Sequence, residues 1–474
     1  MTSLATNHLP EIPGGLDYTQ PPELERGSPL SRWAFTFVLF YICVMLTQPQ
    51  NRFLFFHPFR PAMLSMVAAM GLHFMACLQD NRPLIRMGPG TIIGLLLMVF
   101  GLLSNFVGPL QTHSGWNPGI DTLIKGCIVL ILVEALAFNI YRVWVIYATI
   151  AIATLWWVKA GLRLGSAGAY WAGDRVMGPN VSLVQNPNAF AYFFCIMLPV
   201  YLFFYHQSRN KYVKGFFLFL TFAALYSILN TGSRTGVVVL FFLSLFLIWR
   251  YFWKYKLTLL LGAAGVVIVF GMVGALNVER FRTIPDSARA FFMGGEPDLS
   301  TVQGADEHSA VARRIKNRHT WNLIKEYPIL GAGMWPNHRL FEAHYVHAGG
   351  VVHNELLMAG YQMGVFGMGL YTAMLAVMFF GARKIQMATS GWWPAMSNLA
   401  WTYKLMAVTI IVGGQFAVLP WSPIHFVLLG SVSALLLNLS ALGVLEESAG
   451  YMHQPAPSIP ALNPVQARTA SFHG

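Results

Sequence analysis

Runs of about twenty apolar residues recur along this chain, separated mostly by short polar connections, and that pattern constrains the fold more than any motif. A run of that length crosses the hydrocarbon of a bilayer as a helix. The runs lack the alternating pattern of barrel strands, and a helix satisfies its own backbone polar groups, as lipid demands. The reading is an all-α polytopic membrane protein with about twelve transmembrane helices, at roughly 33–47, 61–78, 90–108, 121–139, 143–161, 188–206, 213–231, 235–250, 257–276, 353–381, 402–420 and 424–444. With 55 % hydrophobic and 11 % charged residues in 474, a soluble domain is excluded.

The net charge of +12 would suggest nucleic acid in a soluble protein, but in a membrane protein it must first be divided between two faces. Alternate connections carry most of the Lys and Arg: Arg82 and Arg86; Arg142; Arg209, Lys211 and Lys214; Arg250, Lys254 and Lys256; Arg383, Lys384 and Lys404. By the positive-inside rule these are cytoplasmic. The connection at 109–120 has neither Lys nor Arg, which supports the same orientation. Both tails then lie inside. Residues 1–31 and 446–474 are Pro-rich, lack apolar periodicity and read as disordered or flexible, leaving 32–445 as the membrane domain. A long loop at 278–352 lies outside. Arg52, Arg60, Arg163, Arg175, Arg234 and the loop arginines break the rule, and an anionic partner on that side would explain several of them. Cys43, Cys77, Cys127 and Cys195 fall within apolar segments without Cys-x-x-Cys spacing and read as buried small residues.

Three segments could carry chemistry. Asn230-Thr231-Gly232-Ser233-Arg234-Thr235-Gly236 interrupts one long apolar run, so it is a tight turn with an arginine at the outer boundary. A guanidinium binds phosphate oxygens bidentately and stays charged, and Ser233 can donate beside it; a snorkelling arginine at a helix end is the plain alternative. Arg313, Arg314, Lys316, Arg318 and Trp321 lie in a segment of helical character before Tyr327-Pro328-Ile329-Leu330-Gly331-Ala332-Gly333. Arg314 and Arg318, four apart, would share one face as a clamp for pyrophosphate, or simply form a solvated basic face. His353-Asn354-Glu355-Leu356-Leu357 begins the next span. A helix N-terminus favours a neutral imidazole, the form a general base requires, though a packed interfacial histidine fits equally.

Other features weigh less. Gly360, Gly364, Gly367 and Gly369 read as close helix packing. Asp174, Arg175, Gly178-Pro179-Asn180 and Gln185-Asn186-Pro187-Asn188 form a polar approach to a span that lines a groove or merely punctuates the chain. Glu134, Lys125 and Lys159 lie in or near spans, where a proton relay is conceivable. His338, Glu342, His344, His347, His353 and Glu355 match no known metal-ligand spacing, so no metal is expected.

Taken together, the Ser233-Arg234-Thr235-Gly236 turn, the external loop with Arg313/Arg314 ahead of Tyr327–Gly333, and the His353-Asn354-Glu355 opening resemble the O-antigen ligase and polymerase superfamily, over about residues 170 to 380. The resemblance implies a fold of the C-type glycosyltransferase class, with a periplasmic loop containing helical segments over the active site, in the bacterial inner membrane. It implies transfer of a glycan from undecaprenyl pyrophosphate to a sugar hydroxyl on lipid A core, to another repeat unit, or to a protein. Arg234 and a loop arginine, with Arg314 favoured, would hold the pyrophosphate, and His353 would act on the acceptor. Arg313, Arg318, Ser233, Arg175, Asn188, His338 and Asn354 complete the expected substrate site. No cofactor is expected; the partners are the lipid-linked donor, the acceptor, membrane lipids, and a chain-length regulator or export complex, with no nucleic acid. The rival class is a transporter or flippase of lipid-linked glycans, which should carry ionisable residues and broken helices near the midplane.

Overall fold

The computed structural model describes residues 27–49, 53–56, 58–110, 116–166, 170–171, 175–176, 178, 186–251, 305–334, 352–391, 393–417 and 421–445. The expected span at 257–276, most of the 278–352 loop including His338, His344 and His347, and nearly all of both tails lie outside these residues.

The chain is a bundle of helices: α1 (Pro29–Thr47), α2 (Pro61–Asp80), α3 (Pro89–Val107), α4 (Pro118–Leu136), α5 (Ile140–Ala153), α6 (Leu155–Ser166), α7 (Pro187–Gln207), α8 (Lys211–Asn230), α9 (Arg234–Tyr251), α10 (Ala305–Glu326), α11 (Glu355–Ala376), α12 (Ala382–Thr389), α13 (Pro394–Gly413) and α14 (Pro423–Ala441). Between α6 and α7 a two-residue antiparallel pair, β1 (Tyr170–Trp171) with β2 (Arg175–Val176), is the one strand pairing among the described residues. Among those residues nine helical stretches are long and apolar enough to cross a membrane. The protein is therefore a multi-pass membrane protein. Helix α4 fills a further expected span while carrying Asp121, Lys125 and Glu134, and α9 fills another.

The ends of the helices follow from local chemistry. Helices α1, α2, α3, α4, α7, α13 and α14 open on a proline, whose fixed φ suits the first turn and whose missing N–H needs no partner there. Asn117, Asn186, Asn210 and Asn354 cap α4, α7, α8 and α11 by accepting first-turn N–H groups. Three boundaries differ from the hydropathy reading. The 143–161 span is two helices meeting at Thr154, whose hydroxyl bonds back to the Ala151 carbonyl. Helix α13 begins at Pro394, so Lys404 lies within it rather than in a connection; its ammonium reaches Gln386 at 3.0 Å and lies over the Trp401 ring at 4.6 Å. The 353–381 span runs on through a π turn at Val377–Gly381 into α12.

Helices α7 and α14 form the centre, each with 78 % of its apolar window buried, against 28 % for α2 at the lipid-facing edge. All four cysteines are free, Cys127 and Cys195 buried and the other two half-buried. Glu134 is fully buried in α4, yet its carboxylate has a structural task. It accepts the backbone N–H of Gly88 at 2.7 Å and of Thr91 at 3.0 Å, while Ser433 accepts that of Gly90 at 2.9 Å. Helix α3 starts Gly-Pro and has no side-chain cap of its own, so α4 and α14 supply one. Lys125 pairs with Asp121 one turn away at 2.5 Å, and Lys159 lies over Trp156 at 5.8 Å. These local partners account for the three ionisable groups without a relay.

Antiparallel neighbours sort the connections to two ends of the bundle. Arg86, Phe138, Arg142 and Asn438 gather at one end, where Arg86 bonds Asn438 at 3.1 Å and Asn438 bonds the Ala137 carbonyl at 2.9 Å. At the other end the α3–α4 connection meets the residues after α10, with the Leu110 N–H on the Ala332 carbonyl at 3.1 Å.

Candidate active site

The turn between α8 and α9 is built around Ser233. Its hydroxyl accepts the N–H of Gly236 at 3.3 Å, capping α9, and donates to Asn188 Oδ1 at 2.8 Å in the first turn of α7. Both side chains are buried. Gly236 is required by packing, since a Cβ there would lie 2.9 Å from Ala191 and Ile228. Arg234, the first residue of α9, is half-buried beside this pair. Sequence reasoning named Asn188, Ser233 and Arg234 separately; the fold brings them together.

Helix α10 has one buried stripe. Lys316, Thr320 and Ile324 are buried, and Arg313 and Asn317 lie on the same face at helical spacing. Arg314 and Arg318 do share a face with each other, but it is the face of exposed Trp321 and exposed Lys325, and Arg318 itself is exposed. Arg313 is the arginine on the buried stripe, while Arg314, favoured from the sequence, is half-buried on the neighbouring face. Burial and then the Arg234 charge hold the Arg313 guanidinium below its usual pKa. Burial and then Arg313 do the same to Lys316. Arg313 Nε, Asn317 Oδ1 and Asn230 Nδ2 are buried without a hydrogen-bond partner among the described residues. Arg313 and Asn317 share the inner face of α10, and buried polar atoms in that state are ones that a polar partner would satisfy.

The segment Tyr327–Gly333 anchors α10 to the bundle through a break in α11. At Met363 (φ −128°, ψ 18°) and Gly364 (φ 65°, ψ −156°) the helix reverses. Residues 355–362 fold back against those after 364: a Cβ on Gly367 would lie 2.4 Å from the Ala359 carbonyl oxygen, and one on Gly360 would lie 2.6 Å from Met368. The reversal frees backbone groups, and the 328–334 segment takes them up. Ala332 N–H bonds the Tyr361 carbonyl at 2.7 Å, and Val365 N–H bonds the Pro328 carbonyl at 2.7 Å. Ser104 adds a bond to the Gln362 carbonyl at 2.5 Å. The Gln362 side chain donates to the Met334 carbonyl at 2.9 Å and accepts from the Trp421 indole at 2.6 Å. Gly364 thus serves a turn and a backbone contact rather than the helix packing expected of it, whereas Gly360 and Gly367 do pack between the arms.

This hairpin sets His353 beside α10. Asn354 caps the arm by accepting the Leu357 N–H at 3.0 Å and donates to Gln415 at 2.9 Å. Burial, then the charges of Arg313 and Lys316, push the His353 imidazole down to about 4. It is neutral at ordinary pH. Glu355, two residues on, is buried and accepts the phenol of Tyr371, with its backbone N–H on the Gly414 carbonyl at 2.7 Å. Sequence reasoning named Glu355 as part of the His353-Asn354-Glu355 opening and as a member of a disfavoured metal set, and did not foresee that role. No group of three or more metal-ligating side chains occurs among the described residues. Arg175 is placed only as backbone in β2, and His338 lies outside the described residues.

One locus, then, is assembled from the start of α7, the α8–α9 turn, the inner face of α10 and the residues just before α11: Asn188, Ser233, Arg234, Arg313, Lys316 and His353. Residues 219–372 match the family model described as O-Antigen ligase. The stretch contains Arg234, all of α10, the docking segment and His353, so the resemblance to the O-antigen ligase superfamily is shown over the residues that build the site. The match supports a membrane glycan transferase of the ligase or polymerase type, with a lipid-linked glycan donor and a glycan acceptor in general. No curated protein matches the chain.

Proposed function

We propose that this protein transfers a glycan from undecaprenyl pyrophosphate to an acceptor sugar hydroxyl at the periplasmic face, without a metal and with inversion. The observation that carries the reading is a chain of neighbours inside the matched stretch, with Arg313 and Lys316 beside a neutral His353 and Arg234 beside Arg313. Packed cations with orphaned polar atoms suit a doubly charged anion, which would relieve the mutual repulsion. Pyrophosphate is such an anion.

In the proposed step the acceptor oxygen attacks the anomeric carbon, forming the new glycosidic bond. The bond from that carbon to the phosphate oxygen breaks, and its electron pair leaves with undecaprenyl pyrophosphate. The acceptor proton passes to the His353 imidazole. Arg234 and Arg313 stabilise the charge growing on the leaving group, the task a divalent ion performs elsewhere. One displacement inverts the configuration. The acceptor is either lipid A core, as in a ligase, or a growing polysaccharide, as in a polymerase; partners of the chain-length-regulator or export-complex kind belong to the second case.

A carrier of lipid-linked glycans is the second reading, favoured by one observation, the broken α11 with buried Glu355 at its start. Against it, the freed backbone groups of the break are occupied by the 328–334 segment, and the cations lie to one end of the bundle. The two part in membrane vesicles supplied with labelled lipid-pyrophosphate donor and an acceptor glycan. Transfer should persist in EDTA, give the inverted linkage by NMR, and fall about 10²–10³-fold in Arg313→Ala. Donor crossing the bilayer with no new glycosidic bond would instead make the protein a carrier.

A further inference from the structure

At the end of the bundle opposite His353, a cavity of about 310 Å³ lies between the α2–α3 connection and the α4–α5 corner, lined by His73, Cys77, Asp80, Arg82, Arg86 and Phe138 among others. Arg82 and Arg86 in its wall belong to a cluster of arginines that is held in place. Arg142 stacks on Phe138 at 4.0 Å and on Phe35 at 4.9 Å, and donates to the Leu136 carbonyl at 2.8 Å and to Ser31 at 3.2 Å. Arg82 approaches the same Phe138 ring at 5.1 Å, so two guanidiniums share one aromatic platform. Arg86 is fixed by Asn438, and Arg32 by the Gly27 carbonyl at 3.2 Å. Of these four guanidiniums Arg82 and Arg86 line the cavity together with Asp80, while Arg142 and Arg32 stand behind it, as does Glu134, whose oxygens are taken by the α3 N-terminus. The excess is positive.

The surroundings of the cavity identify its level in the membrane. Leu78, Leu84, Ile85 and Met87 expose 70, 44, 37 and 63 % of their surface around the α2–α3 connection. Trp33 and Tyr141, each 61 % exposed, stand at the same end of the bundle, as interfacial aromatics do. A polar cationic chamber beside exposed aliphatic side chains presents a phosphate site and an acyl-chain surface together. A soluble anion needs only the first. We infer that this cavity binds the phosphate of an anionic phospholipid of the adjoining leaflet, its acyl chains lying along the exposed α2–α3 side chains.

The test uses the full-length protein, purified in neutral detergent and stripped of lipid, with its melting temperature followed as phosphatidylglycerol, phosphatidylcholine or inorganic phosphate is added. Phosphatidylglycerol should raise the melting temperature of the wild type and of Arg82→Lys, and should lose that effect in Arg82→Gln. Ala76→Met fills the cavity without changing charge. In native mass spectrometry it should lose one bound phosphatidylglycerol, which keeps the test open if Arg82→Gln folds poorly. A shift that survives both variants, or that phosphatidylcholine matches, overturns the inference. So does an equal shift from inorganic phosphate, which would make the chamber a free-anion site.

Discussion

At the scale of single residues the account turns on a rotation of one position. Arg313 and Arg314 are adjacent in sequence and 100° apart on a helix, so only the docking of α10 decides which faces His353. Replacing Arg313 by Ala should cost about 10²–10³-fold in turnover, while Arg314→Ala, on the side of exposed Trp321, should stay within a few-fold; steady-state rates in membranes distinguish them. The reverse order would return the pyrophosphate to the Arg314–Arg318 face. The pH profile follows from the same charges. His353 is depressed to about 4 in the free protein, so the acid limb of kcat/KM, which reports the free enzyme, should fall below the ordinary histidine range near 6.5. A bound pyrophosphate offsets Arg313 and Lys316 and raises the imidazole pKa, so the limb of kcat should lie at higher pH than that of kcat/KM. Coincident limbs would mean that donor and imidazole do not sense each other. Arg234 and His353 were legible because each stands at an abrupt change from apolar to polar sequence. Arg313 was legible only in part: its spacing to Lys316, Thr320 and Ile324 marks a buried face, but three polar members hid the stripe from hydropathy.

At the scale of elements, the reversal in α11 was not legible at all. Hydropathy reads 353–381 as one span, because a run of apolar residues scores alike whether the helix continues or turns back. The signal lay in Gly364 taken with Gly331, two glycines in positive-φ conformations whose backbones pack face to face. Gly364→Ala would place a Cβ 2.4 Å from the Pro328 carbonyl oxygen at a backbone conformation alanine resists, costing about 1–3 kcal/mol. A lowered melting temperature, with faster proteolysis before α11, is the expected result. Gly369→Ala is the control: nothing lies within 4 Å of its Cβ, so stability should hold or rise slightly. Glu134 presents the same lesson in electrostatic form. A lone carboxylate in a span suggests a proton path, whereas the fold spends it on the bare N-terminus of α3. Glu134→Ala should lower the melting temperature and leave turnover per folded molecule unchanged; loss of turnover at unchanged stability would restore the relay.

For the whole molecule, composition and apolar periodicity carried most of the architecture. The expected spans outside 257–276 correspond to helices, with shifts where a Pro-initiated helix begins among polar residues, as α13 does at Pro394. The basic connections Arg82–Arg86 and Arg142 do meet at one end of the bundle and the α10 docking segment at the other, which is the separation that the charge pattern required. Cysteine labelling of intact cells should find positions beside Arg234 and His353 accessible from one side and positions in the 209–214 connection from the other. The central claim, glycan transfer at His353, is tested most directly in the native host with its own gene deleted, carrying wild type or His353→Ala at matched membrane levels. Surface glycans and lipid-linked intermediates would be compared by size. The account requires the variant to lose product by about 10²–10⁴-fold and to accumulate undecaprenyl-linked glycan, with uncapped core marking a ligase and single repeat units a polymerase. Wild-type product from His353→Ala would contradict it and leave His353 a packing residue.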